Sequence, residues 1–379
     1  MKCLITTDLH MYHNFYLGAP ILPSHTSNWE LFYRIYPGIS FWDRVQNFAV
    51  AMFTLYHWYN EQAVKHEKAM RNILDRDIPP LYEVARNTSL FFVNHDIAVG
   101  YARPIPPNVI LFSGLHIAEK PPPLPKDMTE FLGNATGGFI YMSLGCNMKS
   151  NILPSNIQEA IHNTFLKLPY KVLWKYESDN IPKSSKIFTS KWISQQSVLA
   201  HPNIKAFIFQ GGQQSTEETI HYGVPIIGVP IMFEQTYRIR KLAELEVGRM
   251  LELDQINEET LSEAIVDIMQ NESYKRNMVK LNELVKDKPQ SSKDNVAWWI
   301  EFVMRHKGAA HLRCKVPDEP WYQQYDVDVI AFISIILFIV IVISTRVLVR
   351  ASRWMYKNRH VLSQIRRHHS LTQGRHKIE

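Results

Sequence analysis

The sequence predicts an α/β protein: a doubly wound domain with a parallel sheet, the remnant of a second sheet domain before it, and one membrane-crossing helix after it. Three observations carry this. Strand and helix signals alternate with short loops from about residue 131, the pattern of βαβ units whose sheet is covered on both faces. A proline-rich break, Lys120-Pro121-Pro122-Pro123-Leu124-Pro125, precedes them, and an uncharged run from Val329 to Thr345 follows.

The 379 residues hold roughly two domains of ordinary size. Residues 1–119 read as what is left of an N-terminal, acceptor-side domain. Within them a helix is expected from Phe41 to Leu74, ended by Pro79-Pro80, and strands at Ser89–Val93 and Val109–Phe112. This stretch alone does not give a closed sheet. Residues 120–130 read as a stiff linker, because consecutive prolines hold an extended chain. Residues 131–310 form the second domain, with strands expected at Gly138–Leu144, Lys171–Trp174, Ala206–Phe209, Pro225–Val229 and Gly248–Leu253. A helix at Asn156–Leu168 places Ile157, Ala160, Ile161, Phe165 and Leu168 on one face. Three more, at Glu258–Gln270, Glu272–Lys286 and Asn295–His306, close the domain. Ligand chemistry in such a domain sits at the carboxyl ends of its strands.

As a helix, Val329 to Thr345 measures about 26 Å at about 1.5 Å per residue, enough for a thin bilayer such as that of the endoplasmic reticulum. The other reading is a buried core helix. The flanks weigh against it: Trp321, Tyr322 and Tyr325 form an aromatic belt on one side, and Arg346, Arg350, Arg353 and Lys357 stand on the other. Residues 326–345 are therefore the expected transmembrane helix and 346–379 a basic tail. The tail holds nine of the 42 Lys and Arg and one of the 36 Asp and Glu, which leaves 33 basic and 35 acidic residues before it. The pI near 9.0 thus comes from the tail, and the body is no nucleic-acid binder by charge. The positive-inside rule puts the tail in the cytosol and the body in the lumen, a single-pass type I arrangement. Sequons at Asn87, Asn134 and Asn271 agree. Cys3, Cys146 and Cys314 are too few and too scattered for a disulfide framework or a metal site. The opening MKCLITTDLHMYHNF holds no apolar run of signal-peptide type, so the start is expected to be truncated.

The chemistry concentrates between Trp192 and Gln235, WISQQSVLAHPNIKAFIFQGGQQSTEETIHYGVPIIGVPIMFEQ. A strand runs into Gln210-Gly211-Gly212, and Ser215 and Thr216 open a helix. Two glycines let a phosphate approach the backbone, and the helix start offers unpaired N–H groups and a positive dipole end, so a diphosphate fits there. Glycines before a helix also serve plain turns. Trp192 follows a strand, where it either stacks on a base or joins the core. Glu218 lies one turn down the helix from Ser215, placed to accept ribose hydroxyls or to stand as a solvated charge. Glu234 and Gln235 follow a strand end and can bracket sugar hydroxyls. Together these residues describe a pocket for a nucleotide sugar.

This segment resembles the donor-binding signature of the family 1 UDP-glycosyltransferases, in particular the animal membrane-bound branch with its insect members. Phe139-Ile140-Tyr141-Met142-Ser143-Leu144-Gly145 resembles the family's first strand of the donor domain, and Leu199-Ala200-His201-Pro202-Asn203 its loop before the signature helix. Trp298-Trp299-Ile300-Glu301-Phe302-Val303 with Arg305-His306-Lys307-Gly308-Ala309 resembles the segment leading to the anchor. The resemblance runs from about Gly18 to the tail. It implies a GT-B fold of two Rossmann-like domains, the N-terminal one incomplete here, with the active site in the cleft between them. It further implies that Trp192 stacks on uracil and Gln195 contacts its edge. Ser143 and Ser215, with the amides near Gly212, hold the diphosphate, which Gln210 faces; Gln214 belongs to the same donor-binding set; Glu218 accepts from the ribose, and Glu234 and Gln235 hold the sugar. No metal or redox cofactor is implied, since the UDP-sugar is a co-substrate. The implied partners are the UDP-sugar, a small lipophilic acceptor, the membrane, and further copies or relatives of the chain in an oligomer, with no nucleic acid among them. The reaction is an inverting transfer of glucose or glucuronic acid.

Several positions depart from the family pattern. Gln210 stands for the usual His, Ser194 for Pro, and Glu234 for Asp, and Gln213 and Gln214 also differ. An amide at 210 donates a hydrogen bond but cannot become cationic, and charge-assisted bonds are roughly twice as strong as neutral ones. The family's general-base His and its Asp partner belong to a region before the resemblance begins. His10, His13 and His25 are present, with no expected strand before His25, and no catalytic residue is assigned. A non-catalytic relative that pairs with full-length members in the membrane is the alternative reading.

Overall fold

A computed structural model describes residues 3–6, 40–100, 105–133, 135–178 and 184–360. Gly18–Pro20, His10, His13, His25, Asn134 and the end of the tail lie outside them. The chain forms two compact units, Met1–Cys314 and Lys315–Glu379.

The first unit opens with strand β1 (Cys3–Thr6). Helix α1 (Phe41–His57) starts at Ser40 through a capping box, Ser40 Oγ accepting from Asp43 N at 3.1 Å and Ser40 N donating to Asp43 Oδ2 at 3.0 Å. It continues through a π turn into α2 (Ala63–Leu74), which ends on Asp75 in the left-handed conformation. The expected Phe41–Leu74 helix is thus continuous, with one wide turn inside it. Helix α3 (Leu81–Arg86) leads to β2 (Leu90–Asn94) and β3 (Val109–Phe112). The three strands form a parallel sheet in the order β1-β2-β3. The sequence reading placed no strand before His25, yet β1 pairs with β2, Cys3 opposite Leu90 and Thr6 opposite Val93. Four residues carry no readable period, and the partner that makes them a strand is remote in the chain.

The larger sheet follows helix α4 (Lys126–Gly133). Its elements alternate in sequence as β4 (Phe139–Ser143), α5 (Ser155–Lys167), β5 (Lys171–Lys175), β6 (Ile187–Ser190), α6 (Gln195–Leu199), β7 (Ile204–Phe209), α7 (Gln213–His221), β8 (Ile226–Gly228), α8 (Phe233–Glu244) and β9 (Gly248–Met250). All six strands are parallel, in the order β6-β5-β4-β7-β8-β9. This is the doubly wound order, and its direction reverses between β4 and β7. Every residue of β4 is buried, as a parallel strand with both faces covered requires. On one face Ile140, Met142, Trp174 and Ile208 pack with Phe165 of α5 and Ala264 and Ile265 of α9 (Glu258–Gln270). On the other, Phe139, Tyr141, Phe207 and Phe209 pack with Ile220 of α7, Ile239 of α8 and Met278 of α10 (Glu272–Lys286). Helix α11 (Ser292–Arg305) then returns to the small sheet, setting Val296 and Val303 against Leu90, Phe92 and Ile110.

The second unit carries a short helix α12 (Trp321–Gln324) and the long helix α13 (Val327–Lys357). The latter's 31 residues are long and apolar enough to cross a membrane, with mean hydropathy 3.0 over its most apolar window and none of that window buried. It extends well past the expected 326–345 because the basic residues after Thr345 continue the same helix.

Candidate functional site

The strand order reverses between β4 and β7, and doubly wound sheets bind their ligands outside the carboxyl ends of the strands at such a point. β4 ends on Ser143, buried, whose Oγ accepts from Gly145 N at 3.3 Å. Gly145 turns the chain at φ +77°, and a Cβ there would stand 2.7 Å from Gln210 Nε2. Glycine is what lets the two chain segments meet. β7 ends beside it, and Gln210, only 6% exposed, has an Oε1 without a hydrogen-bond partner. Such an orphan acceptor in a buried place is uncommon. Gly212 is the N-cap of α7 and no side chain caps the helix. The first-turn amides of Gln213, Gln214 and Ser215 therefore lack intrahelical partners and stand at the positive end of the dipole. Arg238 of α8 donates to the Gly211 carbonyl at 2.5 Å and pins the glycine pair.

Helix α6 supplies the opposite wall. Gln195 Nε2 donates to Ser215 Oγ at 2.8 Å and to Glu218 Oε2 at 2.6 Å. Three residues chosen from sequence, Gln195, Ser215 and Glu218, thus form one network, with Glu218 buried. Trp192, just before α6, is 72% exposed, and Gln214 is exposed on α7. Glu234 and Gln235 begin α8. Gln235 is buried, its Oε1 accepting from Ile231 N at 3.0 Å and Met232 N at 2.9 Å. Its amide oxygen therefore caps its own helix, and Glu234 beside it is half-buried.

Sequence reasoning missed three residues that meet this network: Gln196, Glu217 and His116. Gln196 Nε2 donates to Glu218 Oε1 at 3.1 Å and to the His116 carbonyl at 3.1 Å. The His116 ring lies between two carboxylates, Nδ1 3.4 Å from Glu217 Oε2 and Nε2 3.2 Å from Glu218 Oε1. The Nε2 contact has an ion-pair distance without the alignment of a hydrogen bond. Burial pulls the His116 imidazolium down, but the Glu218 and Glu217 carboxylates outweigh it and hold its pKa above the usual histidine value. Burial pushes the Glu217 carboxyl up. The available signal was the pair Glu217-Glu218 in the middle of a helix: two adjacent acids, once buried, need a counter-charge. Nothing local said it would come from His116.

The same stretch is tied down elsewhere. Gly114 N donates to Glu217 Oε2 at 3.0 Å, Ala118 N to Gln196 Oε1 at 2.9 Å, and Ser197 Oγ to the Pro122 carbonyl at 2.6 Å. The chain entering the proline-rich segment is stapled along the site. A cavity of about 500 Å³ opens on the other side of α7, lined by Gln213, Thr216, Glu217 and Ile220 with Ser113 and Lys288. None of the sequence-chosen residues lines it.

Residues 18–361 match the family model described as UDP-glucoronosyl and UDP-glucosyl transferase. The chain is 36% identical over 331 residues to UDP-glycosyltransferase UGT5 of Dactylopius coccus, covering 86% of this chain and 62% of that protein. It is 28% identical over 340 residues to UDP-glucuronosyltransferase 3A1 of Bos taurus, covering 88% of this chain and 65% of that one. The chain therefore spans a little over six-tenths of the length of these relatives. Among solved structures, a UDP-glucosyltransferase from Polygonum tinctorium that glucosylates indoxyl matches with a TM-score of 0.48 and 19% identity, over 58% of this chain and 56% of that one.

Proposed function

This chain belongs to the UDP-glucuronosyl and UDP-glucosyl transferase family, and we propose that its switch-point site binds the UDP moiety of a UDP-sugar. The observation that carries this is the convergence of Ser143, the Gly211-Gly212 turn, the uncapped start of α7 and the Gln195–Ser215–Glu218 network at one strand-order reversal. In this reading Trp192 offers an open face for uracil and Gln195 its edge contact. Glu218, already oriented, takes the ribose hydroxyls. Ser143, Gln210, Gln214 and Ser215 with the α7 amides surround the diphosphate, to which Gln210 would donate its amide N–H. Glu234 and Gln235 approach the sugar from the start of α8.

The proposed reaction is an inverting transfer of a hexosyl group, glucose or glucuronic acid, from the UDP-sugar to a small lipophilic acceptor within a GT-B arrangement. The UDP-sugar is a co-substrate and no other cofactor is part of the scheme. The proposed location is the endoplasmic reticulum membrane, with the body lumenal, α13 spanning and the tail cytosolic.

The test is the thermal stability of the full chain in detergent with and without millimolar UDP. A ligand at about 100 times its Kd adds roughly 2.7 kcal/mol, so a clear rise in Tm is expected. Trp192→Ala should weaken UDP by about 1–3 kcal/mol, the usual worth of one base on an aromatic face. The free protein's Tm should hardly move, because the side chain is largely exposed. A folded wild-type sample without any shift would defeat the donor reading and favour a non-catalytic relative that acts as a membrane partner of other family members.

A further inference from the structure

We propose that His116 is a positioning residue of the donor site, a cationic clamp that holds Glu217 and Glu218 so that an anionic nucleotide diphosphate can bind beside them. This rests on the donor reading above. The start of α7 is offered to an anion, yet two buried glutamates stand in the second turn of the same helix. Two carboxylates so placed repel each other and repel a diphosphate. The structure counters them from outside the helix, through the His116 ring at 3.4 and 3.2 Å.

The clamp also fixes direction. A carboxylate offers about four acceptor sites. Those of Glu218 receive Gln195 on Oε2 and Gln196 on Oε1, and the His116 ring stands beside Oε1. The carboxylate is thereby held in one orientation with capacity left for a ribose hydroxyl. His116 is itself held, its carbonyl by Gln196 and its ring between the two acids. The titratable groups around this trio are Glu217 and Glu218 on α7, Tyr141 of β4 beneath Glu218, and Tyr222 at the end of α7. The tyrosines stay neutral, because burial pushes both phenols up. Two charges of the trio are shifted upward, the His116 ring and the Glu217 carboxyl, and replacing His116 by Gln removes only the first.

The folded pKa of His116 is raised, so the clamp is complete at lower pH and is lost as pH rises through that value. UDP affinity should fall in the same window. The titration runs upward from pH 7, where the last proton of the terminal phosphate, with pKa about 6, is already off.

The experiment is calorimetric titration of the full chain in detergent with UDP, for wild type, His116→Ala and His116→Gln, at several pH values from 7 to 9. Wild type should lose affinity with rising pH. His116→Ala should bind about tenfold more weakly at pH 7, the loss of one charged partner, and its affinity should be flat in pH. His116→Gln keeps size and a donor without a titrating charge; it should fold, bind between the two, and also be flat. Wild-type affinity and pH slope in both variants, or a retained slope in His116→Gln alone, would overturn the clamp while leaving the donor site standing. Absence of UDP binding in folded wild type would instead defeat the donor reading, and the clamp with it.

Discussion

At the residue scale the decisive feature is Gln210. It sits at the end of β7 against Gly145, nearly buried, with an oxygen that meets no donor. A group that is both buried and unsatisfied costs about 1–3 kcal/mol, which a bound ligand's hydroxyl or a proton-bearing phosphate relieves only in part. A histidine here would bring a cation to the diphosphate. Gln210→His should therefore tighten UDP by about 1 kcal/mol, roughly fivefold, on the difference between charged and neutral hydrogen bonds. Calorimetry below the usual histidine pKa measures it, and an unchanged affinity would mean that the side chain at 210 points away from the phosphates. The strand and the glycine pair around Gln210 were legible in the sequence. Its missing partner was not, because that depends on what Ser143, Gly145 and Gly212 bring near it.

At the element scale, what joins the small sheet to the donor domain is polar as well as apolar. Asp96, after β2, is nearly buried; it takes Lys288 Nζ at 2.5 Å, from the loop between α10 and α11, and Ser113 Oγ at 2.8 Å. Lys288 Nζ also donates to Ser113 Oγ at 2.8 Å. Removing one partner of a buried pair strands the other charge. Lys288→Met should lower stability by about 1–2 kcal/mol, less than for a fully buried pair because the lysine is partly exposed, in denaturant unfolding, and adding Asp96→Asn should restore much of it. If the single substitution is silent, the pair contributes nothing to docking α11 on the small sheet. Strands and helices themselves were mostly read from spacing to within two or three residues: α9 and α10 coincide with their expected limits, and β3 does too. The two strands that escaped, β1 and β6, are short and lie at sheet edges. A four-residue strand becomes one only through its neighbour.

At the scale of the whole molecule, an apolar helix long enough to cross a membrane separates the body from a basic tail. Deleting residues 327–379 should move the protein from the membrane fraction to the soluble one. Asn87 and Asn271 are exposed, Asn271 Oδ1 capping α10 by accepting from Ser273 N at 3.0 Å. If the body is lumenal, the expressed chain should show a mass shift on endoglycosidase treatment that replacing Asn87, Asn134 and Asn271 together by Gln removes. An untreated mass in the wild type would argue for the opposite orientation.

Hydrophobic period, proline breaks and charge asymmetry are local properties, so the α/β class, the spanning helix, the basic tail and the glycine turn before α7 followed from the sequence by itself. So did the choice of Trp192, Ser215 and Glu218, since one strand, one loop and one helix carry them within a short stretch, while Gln195 came with the family resemblance. Tertiary structure alone decided that β4 and β7 are neighbours at the reversal, that Gln235 turns inward to cap its helix, and that His116 closes on Glu217 and Glu218 from far along the chain. Those contacts depend on how the sheets and helices pack in three dimensions, and no periodicity along one strand of sequence encodes which remote side chain will arrive beside a buried charge.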